Sequence, residues 1–128
     1  KAGSKLEQWR NKSGSPDVPS PLIYNGLVYL QRENGVMICL DLKTGKQLYA
    51  SERLSEGRYR ASPIYADGKI YTIGRDSGVV TVLKAGPKFE VLASNRFNDA
   101  FTASAAVSGG RIYLRGFEAL YAISEGGK

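Results

Sequence analysis

Short apolar runs alternate with glycine-containing turns along the chain, and the pattern repeats. Three segments align at intervals of 42 residues: SPLIYNGLVYL from Ser20, SPIYADGKIYT from Ser62 and SAAVSGGRIYL from Ser104. In each segment a two-residue turn, Asn-Gly, Asp-Gly or Gly-Gly, separates two runs rich in β-branched and aromatic residues, which is typical of a β-hairpin. A period of about 40 to 45 residues fits a propeller blade or a pair of helices. The hairpin turns favour the blade.

Each unit continues beyond its hairpin into further predicted strands. A second glycine-containing turn leads into the apolar runs 36–40 and 79–83, and the third unit has its equivalent at 119–123. After one more turn, the runs 47–53 and 89–93 complete the first two units. The pattern therefore predicts an all-β fold with about three β-propeller blades of four antiparallel strands each, forming a partial or permuted propeller.

The repeat divides the single propeller region, residues 1–128, into four parts. We expect an orphan outer strand and a linker in residues 1–19, one blade each in residues 20–61 and 62–103, and an incomplete last blade in residues 104–128. An N-terminal strand that completes the last blade would remove an exposed sheet edge and close a ring.

The number of blades bears on the partners of the chain. Three blades are fewer than the four to eight of typical propellers. We therefore expect either that the chain is a piece of a larger ring or that several copies form one. Open strand edges also predict pairing with the rest of a parent propeller or self-association.

The turn after the third strand of the first unit carries a recognisable motif. Residues 39–49 read CLDLKTGKQLY and resemble the tryptophan-docking motif A-x-D-x-x-T-G-K-x-x-W of PQQ-like, or quinoprotein, β-propeller repeats. The Ser-Pro openings of the first two repeats and the Gly-x-x-Tyr that follows each of them also resemble this family. The structural motif residues are Asp41, Thr44 and Gly45 in the turn, with Tyr49 at the docking position and Trp9 at the same position of the preceding unit.

The resemblance implies a bacterial extracytoplasmic protein, periplasmic or secreted. The family includes PQQ-dependent dehydrogenases, the propeller lipoprotein of the outer-membrane assembly machinery and sensor domains of signalling proteins, and most of its members do not bind PQQ. The enzymes hold PQQ with Ca²⁺, commonly beside a disulfide of adjacent cysteines, whereas this chain has one cysteine. We therefore expect a non-catalytic binding or scaffold module without a cofactor. A dehydrogenase fragment that binds PQQ with calcium, or a sensor domain, remains the alternative.

Composition excludes several chemistries and narrows the partners. Without histidine and with a single cysteine, the chain lacks Ser-His-Asp and Cys-His nucleophile arrangements and a Cys-x-x-Cys zinc site. Lysine and arginine number 18 against 12 acidic residues, and the net charge of +6 favours anionic partners. The two signs are interspersed, which argues against nucleic acid. No apolar run approaches the ~20 residues that cross a bilayer. We predict no metal site.

Arginines recur at one position of the repeat and define the candidate ligand-binding site. An arginine follows the second strand of every unit, and four-stranded blades place that turn on the same face as the connection between blades. Guanidinium groups beside aromatic rings suit a protein or a small anionic ligand. The competing interpretation is a solvated rim in which Glu33, Glu56, Asp76 and Asp99 pair with the arginines. The candidate residues are Arg32, Arg58, Tyr59, Arg60, Arg75 and Arg115.

Overall fold

The computed structural model describes residues 6–124, which form three antiparallel sheets in succession along the chain. The first two sheets have four strands each, in the orders β1-β2-β3-β4 and β5-β6-β7-β8, and the third has the order β11-β10-β9. The all-β, partial-propeller prediction is confirmed. The strands are β1 (Leu22–Tyr24), β2 (Leu27–Gln31), β3 (Val36–Asp41), β4 (Gln47–Arg53), β5 (Ile64–Ala66), β6 (Lys69–Ile73), β7 (Val79–Lys84), β8 (Val91–Arg96), β9 (Ala106–Ser108), β10 (Arg111–Arg115) and β11 (Leu120–Ser124).

The hairpin that opens each blade forms because its two turn residues accept a left-handed backbone. Asn25 and Gly26 have φ of 49° and 78°, and Gly109 and Gly110 have φ of 56° and 74°. Two consecutive residues with positive φ make the two-residue turn whose twist matches that of the flanking strands. The turn sets the register, in which Tyr24 faces Leu27 across β1 and β2.

The middle strands of the blades are buried on both faces, and the core lies between the sheets. All five residues from Val36 to Leu40 of β3 are buried, which explains their unbroken apolar run. One cluster joins the first two blades through Tyr29, Met37, Cys39, Leu54, Tyr59, Ile70 and Leu83. A second cluster joins the second and third blades through Ala61, Ile73, Val80, Phe101, Ile112 and Leu114.

A serine at the start of each blade links that blade to the next. The backbone N–H of Ser20 donates to Oγ of Ser62 at 2.8 Å, and the N–H of Ser62 donates to Oγ of Ser104 at 2.9 Å. The same hydrogen bond is therefore repeated 42 residues apart. This contact gives a physical reason for the serine at positions 62 and 104, whose hydroxyls are the acceptors.

Two outer segments differ from the sequence pattern. Residues 6–19 contain no strand and pair with none of the strands in the described range, and residues 1–5 of the predicted orphan strand lie outside that range. Strand β8 begins at Val91, two residues later than expected. In the first blade the N–H of Asp41 bonds to the carbonyl of Lys46, whereas in the second the N–H of Lys84 reaches Glu90, so the second turn contains one more residue. Among residues 6–124, no helix is long and apolar enough to span a membrane.

Trp9 docks on the turn between β3 and β4 although it belongs to no strand. Its indole Nε1–H donates to the carbonyl of Leu42 at 2.7 Å. A Cβ added to Gly45 would lie 2.6 Å from Cδ2 of the indole ring, so the ring packs directly on the glycine backbone. Asp41 Oδ1 holds the turn from inside by accepting the N–H groups of Lys43 and Thr44, both at 2.9 Å.

We predict that Gly45→Ala destabilises the chain more than Gly26→Ala. Both glycines have φ near +75°, so each alanine carries the left-handed backbone penalty of about 1 kcal/mol. The space around Gly26 is open, whereas at Gly45 the new methyl group also displaces Trp9. We expect the free energy of unfolding to fall by about 1 kcal/mol for Gly26→Ala and by about 2 to 4 kcal/mol for Gly45→Ala.

Urea denaturation followed by circular dichroism measures both changes. The chain has one tryptophan, so its emission reports Trp9 alone and should shift to longer wavelength only in Gly45→Ala. Equal destabilisation by the two substitutions, with unchanged emission, would show that indole packing on Gly45 contributes little.

Candidate functional site

The turns after β2, β6 and β10 lie at the same end of the sheets as the connections between blades. Backbone hydrogen bonds join the two sets: Tyr59 N–H donates to Glu33 O at 2.8 Å, and Arg75 N–H donates to Arg58 O at 2.7 Å. The N–H of Phe117 reaches the carbonyl of Ala100 at 3.0 Å in the same way. We call this end the arginine face and define it as loops 32–35, 54–63, 74–78, 97–105 and 116–119 together with Arg115.

Asp76 brings two of the candidate arginines together on this face. Its Oδ2 lies 3.5 Å from Nε of Arg58, and its Oδ1 accepts a hydrogen bond from Nη1 of Arg75. The guanidinium carbon of Arg75 also lies 5.7 Å from the centre of the Phe117 ring. Side chains from a connection between blades, from the turn after β6 and from the turn after β10 therefore meet at one place.

The other candidate arginines lie on the same face but outside this group of contacts. Arg115 uses Nη1 to bond to the carbonyl of Gly116 in the turn that follows it. Arg32 lies beside Glu33, whose Oε1 accepts the N–H of Val18 at 2.6 Å. Burial is the largest influence on the pKa of Glu33 and raises it, but backbone N–H groups and the Arg32 charge together hold this pKa below its usual value.

Tyr59 has to be removed from the candidate ligand-binding surface. Its side chain is fully buried in the cluster between the first two blades, and its hydroxyl donates to the carbonyl of Ser55 at 2.9 Å. The ring also lies against Gly35, where an added Cβ would stand 2.9 Å from it. The aromatic residue between two arginines therefore packs in the core while its charged neighbours turn outward.

Asp99 binds backbone N–H groups where the sequence suggested an arginine partner. Its carboxylate accepts N–H groups of Phe117 at 3.0 Å and Glu118 at 3.1 Å, and the hydroxyl of Tyr121 at 3.1 Å. Burial is the largest influence on the pKa of Asp99 and raises it, yet these hydrogen bonds together hold the pKa below its usual value. Asp99 thus fixes the turn that carries Phe117.

A cavity of about 800 Å³ opens on the arginine face between the second and third blades. Asp76, Arg96, Phe97 and Phe117 are among the residues that line it. Phe117 is 57% exposed and was missed by the sequence reasoning. The one feature of the sequence that could have indicated Phe117 is its position as an aromatic residue in the turn after the candidate arginine Arg115.

A second groove, of about 740 Å³, lies between the same two blades towards the opposite end. Tyr71 and Leu92 line it, and they correspond to Tyr29 and Tyr49 of the first blade. There, the Tyr29 hydroxyl accepts the N–H of Gly86 at 2.8 Å and Tyr49 packs on Phe89, so the turn after β7 fills the equivalent space. The residues that follow β11 are outside the described range. This groove therefore corresponds to the space that the turn after β7 fills between the first two blades.

The donor groups of the described chain do not suit PQQ with calcium. Ca²⁺ takes six to eight oxygen ligands, chiefly carboxylates, and residues 6–124 contain no group of three or more His, Cys, Asp or Glu side chains placed to hold a metal. Cys39 is buried, and burial raises the pKa of its thiol to about 11. This cysteine therefore remains protonated and enclosed at neutral pH.

The geometry defines part of a β-propeller of PQQ-like blades. The family described as "Outer membrane protein assembly factor BamB" matches residues 1–128, and the chain belongs to this family. Among curated proteins, no match was found.

Solved structures share the fold. BamB from Moraxella catarrhalis is 16% identical with a TM-score of 0.74, and the match covers 91% of this chain and 36% of that one. Quinohemoprotein alcohol dehydrogenase from Comamonas testosteroni is 16% identical with a TM-score of 0.63, over 80% of this chain and 17% of that one. The quinohemoprotein alcohol dehydrogenase ADHIIG from Pseudomonas putida HK5 is 14% identical with a TM-score of 0.60, and the match covers 85% of this chain and 18% of that one. The chain thus spans about a third or less of these structures.

We predict that Asp99→Asn weakens the chain at neutral pH and flattens its response to acid. The folded-state pKa of Asp99 lies below that of the unfolded chain, so its contribution to stability is complete above about pH 4 and is lost as pH falls through the folded value. Asparagine removes this contribution and places an N–H₂ donor among N–H groups.

Melting temperatures between about pH 2.5 and 7 test this linkage. Asp99→Asn should melt lower than the parent chain at pH 7, and the difference should shrink on acidification. Asp67→Asn, an exposed carboxyl at the other end of the sheets, is the matched control and should change the profile less. A difference between Asp99→Asn and the parent that grows towards low pH would contradict the assignment.

Proposed function

We propose that the chain is a non-catalytic binding module of an extracytoplasmic PQQ-like propeller protein and that its arginine face recognises a protein partner. The observation that carries this proposal is the group formed by Arg58, Asp76, Arg75 and Phe117. It combines two guanidinium groups, a carboxylate that positions them and an exposed ring, and it borders the cavity between the second and third blades.

The chemistry of this group favours a polypeptide with both carboxylate and apolar side chains. Arginine and aromatic residues are enriched in protein interfaces, and a guanidinium group binds a carboxylate through two parallel hydrogen bonds. Asp76 neutralises part of the charge, so a partner must match both signs. The arginine face carries the five candidate arginines, four of them in loops and Arg115 at the end of β10, and the exposed Phe117 ring offers an apolar contact.

A rigid support makes such loops suited to recognition. The N–H groups of the turn after β10 are held by Asp99, and those of Asp17 and Val18 are held by Glu33. A surface whose loops are already ordered loses less conformational entropy when it binds. The blades therefore act as a scaffold for the contact residues, with no covalent step.

The family supports a role among protein partners. The description of its members as assembly factors favours a scaffold over an enzyme, and the name of the outer membrane supports a periplasmic location. Since the match covers 36% of the BamB chain, other blades of a longer protein would extend the contact surface. Pairing with the rest of a parent propeller, or with a second copy of the chain, stays a prediction from the sequence.

Photocrosslinking from the arginine face tests the proposal. With the photoreactive residue p-benzoylphenylalanine in place of Phe117, the chain should form a discrete protein adduct in an envelope extract of the bacterium that produces it. Arg58→Ala with Arg75→Ala should reduce the adduct at least about tenfold, because truncated interface arginines cost more than about 1.4 kcal/mol.

The matched control is Lys43→Ala with Lys84→Ala, which removes the same charge from the other end of the sheets and should preserve the adduct. Absence of an adduct, or equal loss in both double variants, would refute recognition by the arginine face.

We further propose that the chain functions without PQQ. Calorimetric titration with PQQ in the presence of Ca²⁺ should give no saturable heat, because the described residues present no cluster of calcium ligands. Saturable binding with one PQQ per chain would favour the dehydrogenase alternative.

A further inference from the structure

The two ends of the sheets differ in their balance of charge. The end opposite the arginine face is formed by the hairpin turns after β1, β5 and β9 and by the turns after β3 and β7, with the adjoining strand ends. We call it the lysine face. Its cationic side chains are Lys43, Lys46, Lys69, Lys84, Lys88 and Arg111, and its carboxylates are Asp41, Asp67 and Glu90.

The carboxylates of the lysine face leave a surplus of positive charge. Asp41 is engaged by N–H groups of its own turn, and Asp67 lies 3.8 Å from Lys69. The arginine face, counted in the same way with its adjoining strand ends, has seven arginines and five carboxylates, an excess of two against three on the lysine face. Its arginines are Arg32, Arg53, Arg58, Arg60, Arg75, Arg96 and Arg115, and its carboxylates are Glu33, Glu56, Asp76, Asp99 and Glu118. The lysine face therefore carries the larger excess of positive charge, and five of its six cations are lysines.

Apolar side chains are exposed at the same end. Ile23 is 57% exposed and Val107 is 47% exposed, both one position before the last residue of an inner strand. Tyr24 stacks on Tyr65 of the next blade with 3.6 Å between ring centres. Leu42 is exposed in the turn after β3. Apolar and aromatic groups therefore project among the cations.

We propose that the lysine face binds an anionic phospholipid surface. Four of the cations, Lys43, Lys46, Lys84 and Lys88, lie in or beside the turns after β3 and β7, on two different blades. Lysine acts as a point charge on a flexible stem and, unlike arginine, does not impose a bidentate geometry. Dispersed lysines suit a laterally uniform anionic surface, to which each contributes by proximity.

The exposed apolar residues give the same partner a second attraction. Aliphatic and tyrosine side chains enter the boundary between headgroups and acyl chains, and lysines beside them remain among the headgroups. An acidic polypeptide would instead need carboxylates spaced to match cations on separate blades. The lysine face would then rest on the membrane while the arginine face pointed away from it, free for a protein.

Vesicle co-sedimentation of the full chain tests this surface. Vesicles of phosphatidylcholine are compared with vesicles that contain about one third phosphatidylglycerol, at low and at physiological ionic strength. We expect binding only to the anionic vesicles and weaker binding at higher salt. Replacing Lys43, Lys46, Lys84 and Lys88 with glutamine should lower the partition coefficient about a hundredfold or more, because each lysine near the surface contributes roughly tenfold at most.

The matched control removes the same charge from the other end of the molecule. Arg32, Arg60, Arg96 and Arg115 are replaced with glutamine, and binding should fall less than about tenfold. Circular dichroism establishes that both quadruple variants keep the parent fold. Equal loss in the two variants would show that net charge alone drives binding, and equal binding to both kinds of vesicle would show no role for charge. Either result overturns the proposal.

Trp9 reports the orientation of the bound chain. The indole lies at the turn after β3 on the lysine face, and brominated lipid should quench its emission when this face meets the bilayer. Binding without quenching would place another surface against the membrane. Binding to poly-glutamate but not to anionic vesicles would assign the face to an acidic polypeptide instead. Both outcomes would refute the lipid assignment.

Discussion

Burial of both faces of each sheet is the constraint on which the rest of the structure depends. A four-stranded blade with apolar residues on both sides has no solvent-facing surface in its middle strands, so it requires a neighbour on each side. Tyr29 and Ile70 meet between the first and second blades, and Ile73 and Leu114 lie in the cluster between the second and third. The stack determines which ends of the strands reach water and therefore where recognition occurs.

Polar contacts between blades give this apolar stack a fixed geometry. The serine hydrogen bonds near the inner strands and the Trp9 contact near the outer strand hold opposite edges of a blade. Between them, apolar packing alone would permit sliding, since hydrophobic attraction has little directional preference. Buried hydrogen bonds add direction: Gln31 Nε2 donates to the carbonyl of Ala61 at 2.9 Å within the interior.

The two ends of the blades present different chemistry on this common support. On the arginine face, Asp76 pairs with two guanidinium groups, and Asp99 and Glu33 accept backbone N–H groups, so these carboxylates are already engaged and the loops are ordered. Such a surface selects partners by geometry. On the lysine face the cations outnumber the carboxylates and project from turns. They produce a diffuse positive electrostatic potential instead of a site shaped for one ligand.

The sequence by itself determined the elements that depend on nearest neighbours along the chain. Asn25 and Gly26 specify their hairpin through backbone sterics, and Asp41 with Thr44 closes a turn within four residues. The 42-residue repeat then implied stacked four-stranded blades. Tertiary structure decided the rest: Tyr59 became core, Asp76 joined Arg58 to Arg75, Asp99 took up N–H groups 18 to 20 residues away, and Trp9 packed on Gly45 without belonging to a strand. Those outcomes depend on which loops and blades lie next to each other in the folded chain. A local sequence pattern does not show which N–H or guanidinium group a distant carboxylate will meet.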